Sequence, residues 1–183
     1  ILIKMINTQP TSGFDWTVYH KDNTSSPETD YLVLNTTAAT VDNTFFNDTA
    51  PTNAVFSIGT ADVVNKDDRH YQFYAFASVK GFSKMGTYTG NANANGTFVN
   101  LGFKPAWVIV KGISSNNREW FLFDGTRDTT NPFNKYVKAE STDAEASSAF
   151  GDFLSNGFKV RSDGASYNTN GEQFVYMAFA EHP

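Results

Sequence analysis

The side chains able to do chemistry are few, and their spacing matches no catalytic set. Three histidines occur, His20, His70 and His182. There is no Gly-x-Ser-x-Gly elbow, no His-Glu-x-x-His pair and no phosphate loop around which a nucleophile, a zinc ion or a nucleotide would be organised. Cysteine is absent, which removes thiolate nucleophiles, thiolate metal sites and disulfide frameworks. The histidines therefore read as solvent-facing or strand-edge residues. Carboxylates are more numerous: Asp15, Asp22, Glu119, Asp124 and Asp128 flank two tryptophan-containing segments. Glycoside cleavage needs two carboxyl groups facing each other at a set separation, and nothing in the spacing creates such a pair. The chain reads as a non-enzyme that uses no cofactor.

Binding chemistry offers weaker alternatives. Asp62 and Asp67 lie in one polar loop, and Asp163 and Asn168 in another, so all four are weak calcium candidates by ligand type. Neither loop has EF-hand spacing, and solvated turns are the plainer reading. Tyr88 and Tyr167, in loops rich in Gly, Asn and Ser, are candidates to stack on sugar rings, and Trp107, just after Pro105, is a third. Trp16, Trp120, Phe76 and Phe179 sit in alternating apolar segments and read instead as structural anchors. Arg127 and Arg161 are placed to bridge Asp124 and Asp163. Four Asn-x-Ser/Thr sequons, at Asn23, Asn35, Asn47 and Asn95, bear on secretion only in a eukaryotic source.

The elements that must position these groups are strands. The 183 residues include 17 Phe and 8 Tyr but only 18% charged residues, a mixture that suits strands joined by polar turns. A helical bundle or coiled coil is excluded. The formal net charge of −5, without a basic cluster, argues against nucleic acid. No apolar run is long enough for a membrane-spanning helix, so no membrane partner is expected. Short alternating runs at Trp16–Tyr19, Val108–Lys111 and Trp120–Phe123 predict strands, and Tyr71–Val79 and Phe174–Ala180, apolar on both faces, predict interior strands. Asn93–Gly96 is a hairpin candidate. Thr142-Asp-Ala-Glu145 resembles a capping box that would start a short helical turn.

A spacing of about 103 residues recurs along the chain. Trp16-Thr-Val-Tyr matches Trp120-Phe-Leu-Phe, Tyr31 matches Tyr136, Phe56 matches Phe158 and Asn65 matches Asn168. Tyr71–Ala77 matches Phe174–Ala180, and Ile1–Lys4 mirrors Val108–Lys111. The expected fold is all-β, with two similar antiparallel β-sandwich-like modules that arose by internal duplication and share an apolar seam. Residues 1–80 form the first module, without an N-terminal leader; residues 81–183 form a leader segment plus the second module. Ile1-Leu2-Ile3 opens mid-strand, so the sequence is expected to belong to a longer polypeptide.

One pattern goes further. Gly86-Thr-Tyr-Thr-Gly-Asn91, Lys104–Lys111, Trp120–Arg127, Ser141–Glu145, Phe153–Val160 and Phe174–Ala180, in that order, resemble a tandem β-rich domain of unknown function. That domain is frequent in tail-fibre and other virion structural proteins of tailed bacteriophages, many of them marine. The likeness covers nearly all of 81–183 and, more loosely, 1–80, where His20-Lys21 replaces the Asp-x-x-Arg element. It implies a non-enzymatic structural module on the virion exterior, outside the cell, that partners other virion subunits and forms a homo-oligomer, trimeric if it is a fibre. A lectin-like module binding a host-surface glycan during attachment is the alternative.

Overall fold

The computed structural model describes residues 1–6 and 15–182, and among these the strands form two antiparallel sheets. The small sheet contains β1 (Leu2–Met5), β2 (Thr17–Val18), β3 (Asp30–Val33), β4 (Val41–Asp42) and β5 (Tyr71–Tyr74), in the order β4-β3-β2-β1-β5. The large sheet contains β6 (Ser83–Thr89), β7 (Phe98–Asn100), β8 (Pro105–Gly112), β9 (Trp120–Asp124), β10 (Phe133–Lys138), β11 (Ala146–Leu154), β12 (Gly157–Val160) and β13 (Gln173–Ala180). Its order is β6-β13-β8-β9-β10-β11-β12-β7. Twist and length curl it almost into a barrel. Across the gap between its two end strands, Lys84 Nζ donates to Asn100 O at 2.6 Å and Thr97 Oγ1 to Thr89 O at 2.6 Å. One-turn helices, α1 (Asp62–Asn65) and α2 (Ala165–Asn168), precede β5 and β13. No described helix is long and apolar enough to cross a membrane.

The small sheet repeats the pairing of five consecutive strands of the large one. Leu2 pairs with Tyr74 and Val18, as Ile109 pairs with Met177 and Leu122. Val18 pairs with Leu32, as Leu122 pairs with Val137, and Tyr31 with Val41, as Tyr136 with Ala146. Hydrogen bonds outside the ladders follow suit: Leu34 N–H donates to Trp16 O at 3.0 Å and Ala139 N–H to Trp120 O at 3.1 Å. Because side chains alternate at period two, equal register gives each sheet equivalent residues on equivalent faces.

Three apolar clusters result. One face of the large sheet closes over Phe121, Phe123, Phe150, Phe158, Tyr167 and Phe174, with Phe123 stacked on Phe150 at 3.9 Å. The corresponding face of the small sheet covers a smaller cluster of Ile3, Tyr19, Phe45, Phe46 and Val64. The opposite faces meet each other: Val18 and Leu32 pack with Ile109, Trp120 and Val175, flanked by Leu2, Trp107, Leu122 and Met177. This seam is the reason the strands of Ile1–Lys4 and Val108–Lys111 are apolar on both sides.

Several expectations are corrected here. Ala146–Leu154 is a strand, not a helical turn, because the Glu145 carboxylate faces Arg127 (Nη1 to Oε2, 2.7 Å) and not a helix N-terminus. A 3-10 turn forms instead at Thr44–Phe46. Phe56–Thr60 is irregular where Phe158 lies in β12, and β6 and β7, on either side of Asn93–Gly96, form no ladder with each other. Tyr71–Val79 is not an interior strand. β5 ends at Tyr74, lies at the sheet edge, and leaves Phe73 and Phe76 52% and 43% exposed.

Candidate functional site

A large apolar concavity lies between the two sheets. It has a volume of about 1060 Å³ and is lined by Leu2, Val18, Leu34, Trp107, Ile109, Leu122 and Met177, with Phe73, Phe76 and residues 51–56 around its mouth. Both sheets turn apolar side chains to the seam, but the small sheet is too short to fill the space opposite the long strands β8 and β13. A large apolar cleft with few polar groups is the usual form of a binding site. Two of its lining rings pack against Phe179: Phe76 meets it edge-on with ring centres 5.9 Å apart, and Trp107 lies against it at 5.8 Å.

His20 lines the cleft just after β2, together with Tyr19 and Lys21. Its Nε2 lies 3.2 Å from Tyr176 O, and its Nδ1 lies 3.2 Å from the Asp22 amide, which donates to it. The two partners demand opposite roles, so the ring is neutral with the proton on Nε2. Burial lowers its pKa to about 4, with the Tyr176 carbonyl and Asp22 opposing that shift. Both nitrogens are engaged, so His20 ties the sheets together and has no free lone pair for a substrate. This corrects its reading as a solvent or strand-edge histidine.

A second polar cluster closes the far end of the seam. Arg118 Nε donates to both Glu172 oxygens at 3.0 and 2.9 Å, and Arg118 Nη2 reaches Thr169 Oγ1 at 3.1 Å. The pair is shielded from solvent, and Gly112 leaves it room: a Cβ there would lie 2.9 Å from Arg118 Cγ and from Glu172 Oε1. Lys111 is fully buried, donates to Arg118 O and sits 5.9 Å above the Trp120 ring. Burial lowers its pKa to about 8, while Glu140 and Glu172 push it back up. Glu140 Oε2 accepts from the Trp120 amide at 3.1 Å, its Oε1 is buried without a partner, and burial raises its pKa.

The structure disperses the residues singled out by sequence. Tyr88 and Tyr167 are not available to a glycan: both are buried, and the Tyr88 hydroxyl donates to Tyr167 O at 2.8 Å. Their polar surroundings resemble an exposed loop in sequence, but β6 and α2 turn both rings into the large core. Trp107 keeps partial exposure and lines the cleft. Trp120 is buried in the seam and donates from Nε1 to Val33 O at 2.9 Å, while Trp16 is partly exposed against Tyr74. The calcium candidates do not converge. Asp62 pairs with Lys66, Asp67 and Asp163 are exposed, and Asn168 is fully buried with its amide spent on Asn91, Asn93 and Ser162. Among the described residues no group of three acidic or histidine side chains is placed to hold a metal.

The five carboxylates of the glycosidase reading each have a local partner. Asp15 accepts from Asn35, Asp22 from Lys21, Asp124 from Arg127, Asp128 from the Asn134 amide, and Glu119 pairs with Lys138. Arg127 meets Asp124 as expected, but Arg161 bridges to Asp152, across the β11–β12 pair, and not to Asp163. The Asn23 sequon is closed to modification in the folded chain, since Asn23 is buried with its Oδ1 accepting from Thr40. Sequence reasoning missed the cleft and the Arg118–Glu172 pair. The one available signal was the two-sided apolar character of β1 and β8.

The model of one family matches the whole chain, residues 1–183: Domain of unknown function (DUF7483). The chain belongs to that family. No curated protein and no solved structure matches it.

Proposed function

We propose that this domain of unknown function is an internally duplicated, non-enzymatic structural module of a phage virion or tail-fibre protein, displayed on the particle exterior and working in repeated copies. The observation that carries the reading is the open edge of β5. Its aromatic side chains are exposed in a row where the matching residues of β13 are covered by β6. An uncovered apolar strand edge is a liability in a lone soluble domain and calls for cover from a neighbouring subunit or from another part of a longer polypeptide. Equal strand order and register in the two sheets support the duplication. The placement on a virion rests on the likeness of Gly86–Asn91, Trp120–Arg127 and Phe174–Ala180 to the phage domain.

The polar chemistry is consistent with this reading, because His20, Arg118, Glu172 and the five carboxylates are engaged in holding the fold. The alternative, a lectin-like module for host attachment, retains only Trp107 of its three contact residues and gains no hydrophilic groove around it. Immunogold electron microscopy of purified phage particles tests the proposal, together with light scattering of the intact protein. Label on the particle exterior and an oligomer at micromolar concentration are the expected results. Turnover of a polysaccharide by the purified chain, or a stable monomer with no label on particles, would overturn it.

A further inference from the structure

We infer that the outer edge of β5 is an acceptor for one added antiparallel strand of the sequence type Gly-x-aromatic-x-x-Asn, supplied by the polypeptide that leads into β1. The inference rests on the duplication reading above. In the large sheet the edge of β13 is covered by β6 in the register Tyr176↔Gly86 and Phe174↔Tyr88. Gly86 is required there: the Tyr176 ring lies over it, and a Cβ would fall 2.7 Å from the Tyr176 hydroxyl. Tyr88 stacks on Phe174 with ring centres 5.1 Å apart and planes 11° from parallel. Just beyond the strand, the Asn91 amide donates to Asn168 Oδ1 at 2.8 Å, which seals α2 under the incoming segment.

The small sheet presents the same three receptors without the strand. Ile3 pairs with Phe73 as Val110 pairs with Tyr176, and Met5 pairs with Tyr71 as Gly112 pairs with Phe174. Asn65 takes the place of Asn168: each is the last residue of its one-turn helix and donates from Nδ2 to the carbonyl six residues upstream. The covered set is buried, with Tyr176 at 4% and Asn168 at 0% exposure, whereas Phe73 is 52% exposed and Asn65 is exposed as well. Among the described residues no strand pairs with the outer side of β5. Strand addition to such an edge draws its affinity from main-chain hydrogen bonds and its specificity from alternate side chains. A glycine facing Phe73, an aromatic facing Tyr71 and an asparagine reaching Asn65 are the side chains this edge selects. Connectivity fixes the source: β6 belongs to the stretch entering β8, and β1 is the small sheet's counterpart of β8.

The test uses the full 183-residue chain and a synthetic peptide with the sequence of Gly81–Asn93, first in trans and then tethered by a flexible linker ahead of Ile1. Hydrogen exchange should show slowed amides across 71–77 with the peptide, at least tenfold more so when tethered. Replacing the peptide glycine that corresponds to Gly86 by valine should weaken binding at least tenfold. Asn65→Ala in the chain should weaken it several-fold with unchanged far-UV circular dichroism. Absence of protection at 71–77 in both forms, equal binding of the valine peptide, or occupation of the edge by β5 of a second copy in a dimer would each overturn the inference. An experimental structure separates the readings. Equal registers with no strand uptake would sink this inference alone, and unequal registers would sink the duplication as well.

Discussion

His20 couples the two sheets through one hydrogen bond to Tyr176 O, and the burial of its ring, not that bond, sets a pH dependence. A histidine whose folded pKa is about 4 binds fewer protons in the native state than in the unfolded chain, where the value is near 6.5. Its contribution is therefore fully present above about pH 6.5, falls as the pH drops toward 4, and is lost below that. The shift corresponds to roughly 3 kcal/mol. Urea midpoints at pH 7.5 and 4.5 should show this loss in the native chain, and His20→Gln, which keeps a donor for Tyr176 O, should lose measurably less between the two. Equal pH dependence in both proteins would refute the buried neutral imidazole. Glu172→Ala leaves the Arg118 guanidinium shielded without its counter-charge, which typically costs about 3–5 kcal/mol, read as a lowered urea midpoint.

Among the elements, β5 and β13 start from nearly the same pattern and end in different environments. The stretches Tyr71–Ala77 and Phe174–Ala180 carry large apolar side chains on both faces and end alike in Ala-Phe-Ala, so both read in sequence as strands covered on two sides. β13 is covered because β6 pairs along its length and β8 lies on its other side, whereas among the described residues β5 has β1 alone. Truncating the ring should therefore have opposite consequences in the two sheets. Phe158→Ala, in the centre of the large core, should cost about 3–5 kcal/mol, while Phe76→Ala, which bares little new surface, should cost less than about 1 kcal/mol by chemical denaturation. A large loss at Phe76 would mean that its ring is buried in solution, for instance in an oligomer. The wrong expectation of a helix at Thr142–Phe150 has a similar origin. A capping pattern is a local signal, and here the Glu145 carboxylate is taken by Arg127 and Lys135 from the neighbouring strand and turn.

For the whole molecule, the decisive feature is the seam where the outer faces of both sheets meet. Val18 and Leu32 are buried there with Ile109, Ile113, Trp120 and Val175, and Trp120 donates to Val33 O across it. A sheet of short strands such as the small one has little core of its own and draws stability from the larger sheet. Thermal unfolding followed by far-UV circular dichroism and by tryptophan fluorescence should consequently give coincident transitions. Ile109→Asp, in the seam, should lower the shared midpoint for both probes. Two separate transitions would show that the sheets fold independently.

The amino-acid sequence determined the all-β class, the exclusion of a helical bundle, and the approximately 103-residue spacing of matching segments, because period-two alternation and aromatic-rich strands are local properties of the chain. It also placed Arg127 beside Asp124, since that pairing depends on near neighbours. Only the tertiary structure decided which face of each apolar strand meets which partner. Tyr88 and Tyr167 went inward because two segments distant in sequence close over the large core, and Phe73 and Phe76 stayed outward because no described strand lies on the outer side of β5. Burial is set by what packs against a residue, and at an edge strand that partner comes from elsewhere in the fold, where local alternation carries no information about it.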